Sequence, residues 1–338
     1  MKKIRTKVIG IVSTPIQVTN IFELWKSKYS DAELQLIVEK NCSEASRIQI
    51  LHVSQYLKIA KIDFSISKMR HVTYLHDLYR RLKQNDVIIS GNWTNTNSNF
   101  IMKLMWGKDL WYVDDGLISL AYPKLPTRSM LGDNINFIKN AVHLIKRKIA
   151  SGFMLGDKYI NFFSLYPQPN KNYIDNNYTQ LKKIFLIEHF QKSNTLIFLG
   201  GPYVSNCVIS QDKYYQLLKA FTAWARAKYP NCKLEYHAHR REIVEIDIAR
   251  NLFDETIHDQ PMPIELRLIH EKKIVKGVFT NESSAAFTTS MMGLCEVAGI
   301  VSLGDNNSFV HQTEFIEMMW KKTKRIALRD PKMMWLNL

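Results

Sequence analysis

A chain of 338 residues, 46% of them hydrophobic and 23% charged, has the length of about two globular domains and excludes global disorder. Lys and Arg outnumber Asp and Glu by 46 to 31, a formal charge of +15, which favours an anionic partner: nucleic acid, anionic lipid, or phosphorylated and carboxylated sugars. Cys42, Cys207, Cys232 and Cys295 are scattered without a CxxC pair, so reduced thiols are expected rather than a disulfide framework or a zinc site.

The first 18 residues begin like a signal peptide, but their apolar run is short and leads into a polar amphipathic stretch. No segment approaches about 18 consecutive apolar residues, so no transmembrane helix is expected. Lys7–Ser13 reads as a buried strand and Pro15–Trp25 as a helix with Pro in its first turn. Leu34–Glu39, Ile62–Ile66, Asp86–Gly91 and Asp109–Asp114 are further strands, while Ser43–Leu57 and His71–Lys83 have the helical period. Gln168–Tyr178, polar and rich in Asn, reads as a linker. The pattern then restarts with strands at Thr195–Leu199, Lys233–His239, Val275–Thr280 and Val297–Leu303. Helices are expected at Lys213–Lys228, Ser284–Met292 and Thr313–Lys322. Alternating strand and helix indicates parallel sheets covered on both faces. The expected fold is α/β: two Rossmann-like doubly wound domains facing a cleft, residues 1–165 and 193–338, with 166–192 between them. Ligands of such sheets sit at the carboxyl ends of the strands. Neither the Gly-x-Gly-x-x-Gly nor the P-loop pattern occurs.

Four clusters carry chemistry. Asp114-Asp115-Gly116 ends a strand. Neighbours in an extended chain point to opposite sides, so one carboxylate can serve as a base while the other bonds backbone; Asp-Gly is also a favoured turn. In Tyr236-His237-Ala238-His239-Arg240-Arg241-Glu242 the two histidines share one strand face beside fixed positive charge. This is either a phosphate site or a solvated basic helix start. Asn281-Glu282-Ser283-Ser284 precedes an apolar helix, where serine caps the helix, holds a phosphate, or does both. Pro261-Met262-Pro263-Ile264-Glu265 stiffens the entry to a helix whose first-turn carboxylate either accepts bonds from a base or ribose or only favours the dipole.

These elements, in this order, resemble the bacterial sialyltransferases of the two-lobed (GT-B) type, above all the lipooligosaccharide sialyltransferases and capsular polysialyltransferases. That family's acidic pair before Gly, His-Pro motif and Ser-Ser/Thr motif correspond to Asp114-Asp115-Gly116, His239-Arg240 and Ser283-Ser284. Ser13-Thr14-Pro15-Ile16-Gln17 is similar to its first strand and turn, and Leu199-Gly200-Gly201-Pro202 to the start of its second lobe. Pro263-Ile264-Glu265 is similar to its cytidine-contacting segment. Arg240 stands where the family usually has Pro, so the motif histidine is His239 alone or His239 with His237. Transferases for related nine-carbon acid sugars, such as pseudaminic or legionaminic acid, look much the same.

The resemblance implies an acceptor-side first domain and a CMP-sugar-binding second domain. It implies inversion by single displacement, with Asp114 favoured over Asp115 as the base. His239 is implied to bond the departing CMP phosphate and to be a candidate for protonating it. Ser283 and Ser284 would hold that phosphate, Glu265 the cytidine, and Gly200, Gly201 and His237 would lie on the donor side. No cofactor and no divalent metal are expected, in keeping with the absence of an Asp-x-Asp motif. The expected acceptor is a glycan or glycolipid of lipooligosaccharide or capsule. Phe137–Ile149 and Trp320–Leu338 are basic and amphipathic. They read either as segments lying on anionic lipid at the cytoplasmic face of the inner membrane or as helices packed on the core. The alternatives are a UDP- or GDP-sugar transferase on the same fold, or a basic nucleic-acid-binding protein. No nucleic-acid-binding module occurs.

Overall fold

The alternation of short apolar runs with amphipathic stretches is realised as two parallel α/β sheets. The structure is a computed structural model. It describes residues 6–40, 42–64, 71–91, 96–105, 107–114, 160–166, 172–206, 209–258, 260–281, 283–302 and 332–338. The chain divides into two units, Met1–Asn176 and Asn177–Leu338.

The first unit holds β1 (Lys7–Val12), β2 (Glu33–Val38), β3 (Lys61–Phe64), β4 (Val87–Ser90), β5 (Asp109–Val113), β6 (Ile160–Ser164) and β7 (Tyr173–Asp175). They form one sheet in the order β3-β2-β1-β4-β5-β6-β7, and every pairing is parallel. The central strands are almost wholly apolar and buried because a parallel sheet is covered on both faces. Helices α1 (Pro15–Lys28), α2 (Glu44–Tyr56), α3 (His71–Lys83) and α4 (Thr96–Lys103) supply the crossovers. α1 starts where Pro15 fits the first turn and the Gln17 amide oxygen accepts from Ser13 N (2.6 Å) and Thr14 N (3.2 Å). It ends with Lys26 and Lys28 against the negative end of its dipole.

The second unit holds β8 (Gln191–Leu199), β9 (Lys233–His237), β10 (Glu255–Ile257), β11 (Lys273–Thr280), β12 (Cys295–Ser302) and β13 (Met333–Asn337), in the order β10-β9-β8-β11-β12-β13 and again parallel. Its helices are α5 (Thr179–Phe185), α6 (Gln211–Lys228), α7 (Val244–Arg250), α8 (Ile264–Glu271) and α9 (Ala285–Met292). The core is aromatic. Phe221 meets Phe198 at 4.8 Å and Phe279 at 5.3 Å between ring centroids, all tilted rather than face to face. In both sheets the strand order changes sides between the first and fourth strands, at β1/β4 and at β8/β11. These switch points are where doubly wound sheets hold ligands.

Four strands go beyond the sequence expectations. β6, β7, β10 and β13 lie away from the sheet centres, and three-residue strands such as β7 and β10 leave no period to read. The stretch expected to link the units carries β7, α5 and the short 3-10 turn Ile187–His189. The strand expected over Lys233–His239 stops at His237, because Glu242 N turns back to bond His239 O at 2.8 Å. The lipid-facing reading of Trp320–Leu338 needs correction at its end. Met333–Asn337 is a strand on β12, and Met333 and Leu336 are buried, so these two apolar side chains are committed to the protein. Phe137–Ile149, Thr313–Lys322 and Trp320 lie outside the described residues. Among the described residues Cys42, Cys232 and Cys295 form no disulfide, and Cys207 lies outside the described residues. Among the described residues no helix is long and apolar enough to cross a membrane.

Candidate functional site

At the carboxyl edge of the second sheet, β8 runs out into Leu199-Gly200-Gly201-Pro202. Gly200 N donates to His237 O at 3.0 Å, which holds the turn against β9. A Cβ at Gly200 would fall under 3.0 Å from the Tyr236 hydroxyl and from Glu242 Oε1. Only glycine allows this close approach. Beyond the glycines, Val204 N and Ser205 N donate to Glu245 Oε1 at 2.7 and 2.8 Å, and the Ser205 hydroxyl donates to Oε2 at 2.5 Å. Burial pushes the Glu245 carboxyl up, but the bonds from Ser205 outweigh it and hold it below the usual carboxylate range.

His239 lies half-buried in the turn after β9. Its Nδ1 accepts from Arg241 N at 3.3 Å, which assigns the proton of the neutral ring to Nε2 as a donor. Burial, then the charges of Arg240 and Arg241, push its pKa down to about 4. The ring is therefore neutral at pH 7, and a bound anion would favour its protonation.

His237 departs from the donor-binding role expected of it. It is buried, with Nε2 3.0 Å from Glu235 Oε2 and Nδ1 3.5 Å from Arg267 Nη1. Arg267 in turn donates to Glu271 Oε1 at 2.6 Å. This network ties β9 to α8, and burial, above all, pushes the His237 pKa below the usual value.

At the end of β11 the serine pair divides its tasks. Ser283 N donates to Thr280 Oγ1 at 3.1 Å, and Ser283 Oγ accepts from Ala285 N at 3.2 Å, so Ser283 caps α9. Ser284 O accepts from Phe287 N and Thr288 N. Among the described residues its hydroxyl has no partner. Beside them, Asn281 Nδ2 donates to Val301 O at 2.7 Å and ties β11 to β12, while its Oδ1 is buried without a partner among the described residues. Glu282 lies outside the described residues.

Glu265 is also displaced from its expected role. It is 3% exposed, accepts from the Thr288 hydroxyl and so joins α8 to α9. Burial raises its pKa. The carboxylate expected to reach cytidine is thus turned into the protein. What the sheet does bring together is Gly200-Gly201, His239 and Ser283-Ser284, on the ends of the three neighbouring strands β9, β8 and β11.

In the first unit, Asp114 is 3% exposed. Its Oδ1 accepts from the Ser164 hydroxyl and its Oδ2 from Leu165 N at 2.5 Å. Asp114 O accepts from Asn20 Nδ2 at 3.1 Å, and Asn20 Oδ1 accepts from Asn176 Nδ2 at 3.2 Å. Asp114 therefore locks the ends of β5, β6 and β7 to α1. This is the backbone-bonding role within the acidic pair, and it corrects the preference for Asp114 as base. Asp115 and Gly116 lie outside the described residues. Ser13-Thr14-Pro15-Ile16-Gln17 forms the β1–α1 turn, with Gln17 packed where a Cβ of Gly91 would otherwise go.

Glu242 and Glu245 were missed. Beside Arg240-Arg241 they pass for a solvated helix start. One signal was present: a glutamate three residues after His239 has the spacing at which a side chain reaches back to a turn's first N–H.

No protein-family model matches the chain, and no curated protein matches it in sequence. Solved structures of similar fold include a Listeria monocytogenes protein taken to be a UDP-N-acetylglucosamine 2-epimerase, with TM-score 0.53, 13% identity, and 88% of this chain and 79% of that one covered. Another is the α/β-galactoside α-2,3-sialyltransferase of Photobacterium phosphoreum, with TM-score 0.51, 11% identity and coverage of 98% and 99%. A third is the 2,6-sialyltransferase of Photobacterium sp. JT-ISH-224 in complex with CMP and lactose, with TM-score 0.50, 10% identity and coverage of 98% and 78%. At these identities the likeness is one of fold: two parallel-sheet α/β units of the GT-B type, shared by sialyltransferases and sugar-nucleotide epimerases. Among the described residues no group of three or more His, Cys, Asp or Glu is arranged to hold a metal ion.

Proposed function

We propose that the chain is an inverting glycosyltransferase that moves sialic acid or a related nonulosonic acid from its CMP donor to a hydroxyl of a bacterial surface glycan, in lipooligosaccharide or capsule. The observation that carries this reading is that the Gly200-Gly201 turn, His239 and the Ser283-Ser284 start of α9 follow the carboxyl ends of the neighbouring strands β8, β9 and β11, beside the β8/β11 switch point. A phosphate there would meet an imidazole donor, the Ser284 hydroxyl and the positive end of a helix. The leaving group, CMP, is a phosphate monoester with less charge to neutralise than a diphosphate. Those three groups are suited to the task without a divalent cation. Asp115 takes the role of base, since Asp114 is spent on Ser164 and Leu165. Glu265 acts through α8, whose proline-stiffened entry would contact the cytidine by its backbone. The basic charge suits a glycolipid acceptor held at an anionic membrane surface from the cytoplasmic side.

The test is a thermal-shift screen of CMP, UDP, GDP and ADP. CMP at about a hundred times its Kd should raise Tm by roughly 4–8 °C, the others by far less. Stabilisation by UDP and not by CMP would move the proposal to a UDP-sugar enzyme, a chemistry the same fold houses in the Listeria protein's class. A salt-dependent shift with oligonucleotides alone would move it to nucleic-acid binding.

Transfer measured with CMP-sialic acid should proceed unchanged in excess EDTA. Loss of activity restored by Mg²⁺ or Mn²⁺ would overturn metal-independence.

A further inference from the structure

Beneath the His239 turn lies a second layer that the proposed reaction does not use. Glu242 is buried. Its Oε1 accepts from His239 N at 2.9 Å and its Oε2 from the Tyr236 hydroxyl at 2.7 Å. The Tyr236 and Tyr214 hydroxyls are 2.8 Å apart, and either can be the donor. Gly200 lies directly over the Tyr236–Glu242 pair. The glycine turn, the His239 turn and this carboxyl are therefore one packed body.

We propose that Glu242 is the proton-linked regulator of this anion site: an anion bound at the His239 turn is accompanied by a proton on Glu242, and binding weakens as Glu242 ionises. The proposal rests on reading the His239 turn as the phosphate site. Both protonation states fit the hydrogen bonds. Ionised, the carboxylate accepts from His239 N and Tyr236. Neutral, it still accepts from His239 N while donating to the Tyr236 oxygen, whose own hydrogen then turns to Tyr214. The groups acting on Glu242 are Tyr214 from α6, Tyr236 from β9, Glu245 from α7 and the His239 N–H of its own turn, while Arg240 and Arg241 in that turn act on the His239 ring. Burial, above all, keeps both phenols protonated well past neutrality. Glu245 stays ionised through its bonds to Ser205 and Ile243. Glu242 is thus the acid of this layer left to titrate near neutrality. Burial raises it to about 8, with Glu245 adding to the rise and the bonds from Tyr236 and His239 N opposing it. An ionised Glu242 would put a second carboxylate under an incoming phosphate, so the anion favours the neutral form.

Anion binding raises the Glu242 pKa further, so protons are taken up on binding between about pH 8 and the higher bound value, and affinity falls across that window. Titration calorimetry with CMP and, separately, inorganic phosphate at pH 6.5, 7.5, 8.5 and 9.5 tests this, using two buffers of different ionisation enthalpy. Kd should rise on the order of 10-fold from pH 7.5 to 9.5, with net proton uptake at pH 8.5. Glu242→Gln, which mimics the neutral form, should bind as tightly at pH 9.5 as at 7.5. Tyr236→Phe, which deprives the ionised carboxylate of a donor, should move the midpoint to higher pH. A flat profile without proton uptake in the native protein overturns the proposal whether or not the variants fold, as does a slope that survives Glu242→Gln. If phosphate shows the slope and CMP does not bind, the proposal holds and the CMP reading fails. If neither binds at pH 6.5, the anion site is absent and both fall.

Discussion

Asp115→Asn is expected to cut turnover by about 10²-fold or more, the scale of a positioned general base, with Tm and CMP affinity unchanged. Asp114→Asn is expected to do the reverse. Its amide can keep an oxygen toward Leu165 N and turn its NH₂ toward Ser164 Oγ, whose hydrogen then points to Tyr166 O, already 3.0 Å away. The bonds to Ser164 and Leu165 are kept but the charge assistance is lost, at a cost of about 1 kcal/mol. Asp114→Ala goes further. It leaves the Leu165 N–H without its acceptor and should cost about 1–3 kcal/mol, several degrees in Tm. Steady-state kinetics at saturating donor, with melting curves of the same preparations, separate the two roles. An Asp114→Asn protein as stable as the native one but inactive would return the base to Asp114. Full activity in both variants would reduce the acidic pair to a turn.

His239→Ala is expected to weaken CMP binding and turnover together, each by about 10–100-fold. A hydrogen bond to a charged group is worth about 1.5–3 kcal/mol, and the phosphate is held in ground and transition states alike. The variant should also change the pH dependence of the ligand-free fold. With a folded pKa of about 4 against an ordinary 6.5, His239 binds its proton more readily in the unfolded chain. It therefore costs stability progressively as pH falls from 6.5 to 4. His237 acts in the same direction. Relative to the native protein, His239→Ala should be more stable at pH 5 than it is at pH 7.5, as read from melts at the two pH values. A loss of turnover with CMP affinity intact would assign His239 to proton transfer alone. No change in either would remove it from the site.

The repeated strand–helix rhythm and the glycine turn after β8 were legible because they are local: apolar runs of strand length, a helix of thirteen residues at His71–Lys83, a Gly-Gly where no side chain fits. The fates of the polar residues were not. Whether Asp114 faces a substrate or a serine depends on Ser164, which reaches it only through the β5–β6 pairing. Glu265 is taken up by Thr288 on another helix, a partner no spacing within its own segment reveals. His237 was readable in part, since Glu235 two residues earlier shares its strand face. Histidine on a strand was read as a ligand where the neighbouring acid already offered it a partner.

The pairing of β8 with β11 has a consequence for how the second unit comes into being. Gln191 pairs with Lys273 and Leu199 with Thr280, so the middle of the sheet is closed by chain segments far apart in sequence. The entropy of closing that loop must be spent before the contact repays it, which marks a slow-folding, high-contact-order topology. The glycine turn and the serine-capped helix become neighbours only at that closure. A fragment that lacks either β8 or β11 cannot hold the other half of the site in its working form. Fraying at the outermost strands β10 or β13, by contrast, leaves that central junction intact. Whatever occupies the site therefore clamps the strand pair whose joining completes the fold.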